Sequence, residues 1–464
     1  MFIGRHEELS LLEDAYRNPR AQLVFIYGRR RVGKTELLNE FRKNKSCAFL
    51  AAKESPAPIQ LASFSQQMFG AGAPAGAYLD SYRSWDDALT DIVQLPIPGK
   101  KLVIIDEFPY LARADSSLPS ALQHVWDHVL SKSNVMLVLC GSSMSFIEKE
   151  ILSEKNPLYG RATALIKLRP LPYWDAARFF PNYTAQEQVV AHAILGGIPH
   201  YILQFDPERR IEENVKACIL RSGSALYSEP EFLMRQEFRE TAVYNSIIQA
   251  VALGATQLNE ISQKTMLDAS RLSAYLRNLI EVGILEREFP VGIGQQERTK
   301  GRRGLYRVCD NFFRFWYAFV FSHASALDAH DVDGVWRNIV APSMNHFVAT
   351  PFEAICKAWL WRENAHGKLP MYCTEIGRWW NGHEIDIMAA DTGMRHVILG
   401  ECKFRNSTVD VSVLNKLQEA GNDLRLEIEG YYLFSQSGFT AGLREQADAS
   451  HDVHLVSCDT LYEQ

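Results

Sequence analysis

The sequence lacks several features, and each absence excludes a class of protein. No apolar run approaches the ~18 residues of a membrane-spanning helix. The aromatic run "FFRFWYAFVF" (residues 312–321) is too short and reads as a buried helix. The opening residues, "MFIGRHEELSLLEDAY", are charged and helix-like and hold no apolar signal region. Basic residues are in slight deficit, 49 Lys plus Arg against 55 Asp plus Glu, for a formal charge of -6. A nucleic-acid partner must therefore be read by a local patch. The eight cysteines (Cys47, Cys140, Cys218, Cys309, Cys356, Cys373, Cys402, Cys458) form no CxxC pair. Cys140 and Cys402 lie inside apolar strand-like runs, as buried reduced thiols do, and no zinc site is expected. No internal repeat or low-complexity tract is present. The expectation is a cytoplasmic chain without a membrane contact.

What is present is ordinary globular composition: 464 residues, 47% hydrophobic and 22% charged, enough for two to four domains. From Gln22 to about Leu171, the runs "LVFIY", "CAFL", "KLVIID", "VMLVLC" and "ALIKL" alternate with helical patterns. Continuous apolar strands between helices predict an α/β unit with a parallel sheet covered on both faces. Residues 172–228 read as helical. Three helical segments follow, 231–253, 257–264 and 269–282. They lead into "ILEREFPV…GLYRV", which reads as a two-stranded wing, giving the order of a winged helix-turn-helix over 229–309. Residues 310–464 read as an aromatic helix, a helix around 352–361 and a hairpin "EIDIMAADTGMRHVILGECKF". A helix (411–424), a strand (430–434), a further helix and a last strand (453–457) complete the chain.

"YGRRRVGKTELL" carries Gly28-x-x-x-x-Gly33-Lys34-Thr35 directly after an apolar strand and before a helix. This is the context a phosphate-binding loop requires. The glycines let backbone N–H groups curl around phosphate oxygens, and the helix N-terminus adds its dipole. Lys34 would neutralise the β and γ phosphates and Thr35 would ligate Mg²⁺. The intervening Arg29, Arg30, Arg31 and Val32 belong to the loop, where the arginines either face phosphate or are merely solvated. In "LVIIDEF", Asp106 would hold the Mg²⁺ shell, and Glu107 would orient or deprotonate the attacking water.

"FIGRHEEL", the Asp-Glu pair and "GGIP" (196–199) resemble an ATPase of the AAA+/STAND group. More closely, the chain resembles archaeal and bacterial ATPases with a helical lid, a winged helix and a C-terminal restriction-endonuclease-like domain of the PD-(D/E)xK type. The resemblance covers nearly the whole chain, with 1–171 as the P-loop core and 172–228 as the lid. It implies ATP and Mg²⁺ as cofactors, ATP hydrolysis, and DNA as a partner, with a protein partner or a second copy as further candidates. It places Phe2 and Arg5 by the adenine and Pro199 toward the nucleotide. It makes "LCGSS" a sensor strand, with Ser142 or Ser143 near the γ phosphate. Ser143 stands where many STAND proteins have an arginine, so slow hydrolysis is expected. Arg161, in "LYGRA", is either the remaining phosphate-facing arginine or a surface charge.

In the middle segment, Leu272, Leu276 and Leu279 share one helix face, while Arg271, Ala274, Asn278 and Arg277 point elsewhere. The wing holds Arg298, Lys300, Arg302 and Arg303 within "ERTKGRRG". Such a surface suits phosphate contacts, Arg271, Arg277, Lys300, Arg302 and Arg303 being the DNA-facing candidates. It serves equally as a packing or protein-interaction module, since Glu281, Glu286 and Glu288 dilute the charge.

At the far end, Asp386, Glu401 and Lys403 occupy two adjacent strands, the last two on one face. Two such carboxylates can ligate one divalent metal, and the lysine can position water or stabilise developing charge. The alternative is charged decoration of an edge strand, against which the apolar run "HVILGECKF" argues. The resemblance names this layout a PD-(D/E)xK core, with Glu353 of "PFEAICKAWLW" as its N-terminal acidic position and metal ligand. Ile385 stands where the family name has proline. Three functions follow: an ATPase gating a metal-dependent nuclease, a nucleotide-switched DNA-binding factor with an inactive nuclease fold, or a STAND-type protein scaffold.

Overall fold

"QLVFIY" is buried at every residue, as is "VMLVLCG". Strands with no polar face must be covered on both sides, so they occupy the middle of a helix-flanked sheet. The structure, a computed structural model, describes residues 2–142, 146–151, 153–154, 156–301 and 303–463. It divides into two compact units, Met1–Leu171 with Ile198–His200, and Pro172–Gly197 with Tyr201–Gln464.

The first unit is a five-stranded sheet of β1 (Gln22–Tyr27), β2 (Cys47–Ala51), β3 (Lys101–Asp106), β4 (Val135–Gly141) and β5 (Ala164–Lys167). The order is β2-β3-β4-β1-β5 and every pairing is parallel. All carboxyl ends therefore share one edge, where open α/β sheets bind ligands. β1, β3 and β4 deliver the glycine-rich loop, Asp106–Glu107 and Ser142 to that edge. Gly28 must be glycine, because a Cβ there would lie 2.4 Å from the Leu168 carbonyl oxygen.

The second unit opens with helices, among them Ala185–Leu195, started by a Thr184–Glu187 capping box. The single helix expected over 231–253 is two, Glu229–Glu237 and Thr241–Ala252. Phe238 breaks it by turning extended (φ -135°, ψ 144°) and stacking on Tyr244 at 3.9 Å. Helices Leu258–Thr265 and Ala269–Glu281 follow, then the antiparallel pair β6 (Leu285–Glu288) and β7 (Leu305–Val308), joined through the helix Gln295–Lys300. The aromatic run is helical over Asn311–Phe315 and widens into a π turn over Trp316–Val320. The helix expected near 352–361 spans Ala341–Ala365 and carries Pro351 inside it.

The second sheet comprises β8 (Glu375–Asn381), β9 (His383–Ala390), β10 (His396–Lys403), β11 (Glu427–Ser435) and β12 (Val453–Ser457), in the order β12-β11-β10-β9-β8. β8, β9 and β10 pair antiparallel. β10, β11 and β12 pair parallel through the crossover helices Val411–Leu424 and Ala441–Asp448. β10 is the central strand. Among the described residues, no helix is long and apolar enough to cross a membrane.

Candidate functional site

The loop between β1 and the helix Lys34–Arg42 encloses its own cation. Lys34 Nζ donates to the carbonyls of Gly28 (2.8 Å) and Arg29 (3.0 Å), and the residue is only 6% exposed. Burial pulls its pKa below the ordinary lysine value, with Cys140, Glu107 and Asp106 opposing the shift. Gly33 (φ 95°) and Arg31 (φ 70°) take left-handed backbone to close the loop. Arg30 reaches the Tyr110 hydroxyl at 3.5 Å, and Val32 is fully buried.

Beside the loop, the Thr35 hydroxyl donates to Asp106 Oδ2 at 2.7 Å. Glu107, in left-handed backbone (φ 56°), donates its N–H to Asp106 Oδ1 at 3.0 Å. Its own Oε2 accepts from the Ser142 N–H (3.2 Å) and the Ser142 hydroxyl (2.9 Å). Thr35 and Asp106 thus present adjacent hard oxygens, the donor type Mg²⁺ takes. The loop's chemistry suits a polyphosphate, and Mg²⁺ fits beside it.

Other predicted residues take specific places. Arg5 (8% exposed) donates to the Val32 carbonyl at 3.0 Å and pairs with Glu8 at 3.0 Å, so it braces the loop backbone. Phe2 is half-buried. Pro199 lies by the loop: a Cβ on Gly33 would be 3.8 Å from its Cγ. His200, which the sequence did not single out, follows it. Burial, then the Arg31 charge, lower the His200 pKa. Arg161 is committed within the chain. Its Nε and Nη2 donate to both oxygens of Asp127 (2.8 and 2.7 Å), and its Nη1 donates to the Pro157 carbonyl (2.7 Å). A guanidinium so committed does not support a phosphate-facing role. Ser143 lies outside the described residues.

In the second unit, Asp386 lies on β9 and Glu401 and Lys403 on β10. Asp386 Oδ2 accepts from the Cys402 N–H at 2.9 Å and lies 4.0 Å from Lys403 Nζ. Lys403 pairs directly with Glu401. Burial and the Asp386 charge raise the Glu401 pKa. Burial works against the Lys403 charge, but Glu401 and Asp386 outweigh it and hold the ammonium above its ordinary range. Glu353 faces the same cluster from the helix Ala341–Ala365. Its Oε2 faces Arg378 Nε at 3.6 Å, and burial with the Asp386 charge pushes its pKa up to about 8. Among the described residues, the oxygens of Glu353, Asp386 and Glu401 do not all lie within 4.8 Å of one another. These carboxylates are paired with the chain's own cations, and as arranged they do not fit a three-carboxylate metal cage.

The helix Ala269–Glu281 buries Leu272, Leu276 and Leu279 (at most 1% exposed) and leaves Arg271 and Arg277 exposed. Arg271 reaches the Tyr275 hydroxyl at 3.2 Å and Glu240 at 3.4 Å. Arg303 is exposed, while Arg298 is tied to Glu375 and the Ile293 carbonyl. Arg302 and the Lys300 side chain lie outside the described residues.

A parallel β2-β3-β4-β1-β5 sheet, a glycine-rich loop closing on a lysine, and a Thr–Asp–Glu cluster at the carboxyl edge define a P-loop ATPase fold. Residues 2–205 match an ATPase domain predominantly from Archaea, and residues 316–414 match archaeal and bacterial proteins of unknown function. The chain is 31% identical over 409 residues to the uncharacterized protein MJECL04 of Methanocaldococcus jannaschii, covering 88% of each, and it belongs to that protein's family. A 45-residue stretch, 10% of this chain, is 51% identical to 76% of the uncharacterized ATP-binding protein MJ0423 of the same organism. Among solved structures, the Walker-type ATPase PABY2304 of Pyrococcus abyssi superposes with a TM-score of 0.51 at 20% identity. That match covers 68% of this chain and 96% of the other, and it is a likeness of fold.

Proposed function

We propose that this protein binds Mg-ATP at the Gly28–Thr35 loop, hydrolyses it, and uses the nucleotide state to control a DNA-acting, nuclease-like C-terminal half. The observation that carries the first part is the cluster Lys34, Thr35–Asp106 and Glu107–Ser142 at one sheet edge. ATP supplies the phosphoanhydride bond, and Mg²⁺ the charge that offsets its β and γ oxygens. Lys34 exchanges its two carbonyl partners for phosphate oxygens. The Thr35 hydroxyl and Asp106 would hold the shell of a bound Mg²⁺. Glu107 orients water and accepts its proton on a carboxylate oxygen, and Ser142 fixes the direction in which that carboxylate points. Equal ATP turnover in wild type and Lys34→Ala would sink this reading.

The second part is supported by three features. The helix Ala269–Glu281 and the β6–β7 pair have winged-helix order. Arg271, Arg277 and Arg303 are exposed. Asp386, Glu401 and Lys403 share adjacent strands in a nuclease-like sheet. We read 172–228 as the lid, 229–309 as the winged helix and 310–464 as the nuclease-like domain, in a cytoplasmic protein. A second reading, a nucleotide-switched DNA-binding or scaffold factor with an inactive nuclease fold, is favoured by the pairing of every carboxylate in that cluster with an intrachain cation or N–H. Plasmid, linear and single-stranded DNA, incubated with Mg²⁺ or Mn²⁺ and with or without ATP, separate the two. Cleavage selects the first, binding without cleavage the second, and neither leaves a protein partner or a second copy as the target.

A further inference from the structure

One cation reaches carboxylates on three different elements. Arg378 lies on β8 at the register shift between Gly377 and Trp379, and it is only 7% exposed. Its guanidinium pairs with Glu384 of β9, lies 3.6 Å from Glu353 of the helix Ala341–Ala365, and lies 3.7 Å from Glu288 of β6. Glu288 in turn is held by Arg307 of β7 (2.9 Å) and by Lys357 (3.2 Å).

The segment after β6 is stitched to the same edge strand. The Val291 N–H donates to the Arg378 carbonyl at 2.9 Å. The Glu375 carboxylate accepts from the Gly292 N–H at 3.0 Å and pairs with Arg298. Beyond Glu384 the charges continue. Glu384 and Asp386, two residues apart on β9, share a face, and both act on Glu401, which Lys403 holds.

Two ion-pair clusters result: Glu288, Glu353 and Glu384 around Arg378, with Arg307 and Lys357 on Glu288, and Asp386 and Glu401 around Lys403. They adjoin along β9, where Glu384 and Asp386 sit two residues apart on one face. Glu384 is exposed, but Glu288, Glu353, Asp386 and Glu401 are largely withdrawn from water, and carboxylates so withdrawn need compensating positive charge. A planar guanidinium with five donors can serve several of them at once, and it cannot deprotonate to escape.

We propose that Arg378 is a resident cation standing in for a divalent metal, and that the β6–β7 pair, through Glu288, holds it in place, so the carboxylate site accepts metal only when that contact is released. This rests on the reading of Asp386, Glu401 and Lys403 as a nuclease-like site, and it adds how that site is kept shut.

The test uses the full chain without nucleotide, comparing wild type with Arg378→Met and Glu288→Gln. Melting curves and calorimetry with Mn²⁺ are the readouts. Wild type is expected to melt at the same temperature with and without millimolar Mn²⁺. Arg378→Met is expected to melt lower, to recover with Mn²⁺, and to bind Mn²⁺ at least tenfold more tightly than wild type. Glu288→Gln should fall between the two, and it carries the comparison if Arg378→Met does not fold. Wild type and both variants responding alike to Mn²⁺, whether all bind it or none does, overturns the inference. DNA cleavage assays run alongside keep the two readings apart. Metal rescue of Arg378→Met with no variant cutting any DNA supports the resident cation and sinks the nuclease reading. Cleavage with no difference in Mn²⁺ affinity does the reverse.

Discussion

Ser142 grips Glu107 through two hydrogen bonds to a single carboxylate oxygen, from its N–H at 3.2 Å and its hydroxyl at 2.9 Å. The end of β4 thus sets the direction of the acid at the end of β3. Glu107→Gln is expected to keep ATP bound and to lose roughly 10²–10⁴-fold in turnover, the usual contribution of a positioned general base. Ser142→Ala keeps the N–H bond and should change turnover by less than about tenfold. Single-turnover phosphate release measures both, and a wild-type rate in Glu107→Gln removes that residue from the role.

Lys34→Ala should abolish Mg-ATP binding, because the loop loses a cation whose charge-assisted hydrogen bonds to phosphate have no substitute on the helix behind it. The circular dichroism spectrum should be unchanged, since the two carbonyls that Lys34 satisfies can turn to water once the side chain is gone. Calorimetric titration with Mg-ATP decides it.

DNA affinity should be weak, salt-dependent and largely insensitive to sequence, because the exposed arginines can reach phosphates more readily than base edges. Reversing Lys300, Arg302 and Arg303 to Glu should weaken binding at least about tenfold at low salt and flatten the slope of affinity against salt. Adding Arg271→Glu and Arg277→Glu should weaken it further. No loss in a low-salt binding assay would favour the protein-scaffold reading.

Acid should destabilise the second unit partly through His192. Its Nδ1 is shut off from solvent without a hydrogen-bond partner, and burial lowers its pKa from 6.5 to about 4. The unfolded chain takes up that proton first. The contribution to stability is therefore intact above pH 6.5 and is lost as pH falls toward 4. The residue as a whole is only partly buried, so the loss should be about 2 kcal/mol, below the full value of the shift. Urea midpoints at pH 7.5 and 4.5, compared between wild type and His192→Gln, should show the variant losing less.

The loop, Asp106–Glu107 and the five strands of the first unit were legible in the sequence because each is a local signal: an apolar run, a glycine spacing, a carboxylate at a strand end. The two strands that carry Asp386, Glu401 and Lys403 were legible for the same reason. Contacts made across the chain were not. Nothing local marks Asp127 as the partner of Arg161, 34 residues away, or brings His200 to Arg31. β8 was missed because "EIGRWWN" neither alternates nor runs apolar, most of its residues being half-buried at an edge. Arg378 was missed with it, since its three carboxylates come from β6, β9 and a helix. Glu353 was legible as a helical residue, but the Arg378 that lies 3.6 Å from it was not.

The first unit is written in two pieces of sequence. The chain completes β5, runs through residues 172–197, and only then supplies Ile198–His200, whose proline packs by Gly33. A gene fragment ending at residue 171 would encode the whole sheet and every phosphate-binding residue, yet leave that flank of the loop bare. Inheritance must then carry the intervening helices along with the nucleotide site. A recombination event that exchanged ATPase units between relatives would preserve the loop's surroundings only if its junction fell after residue 200.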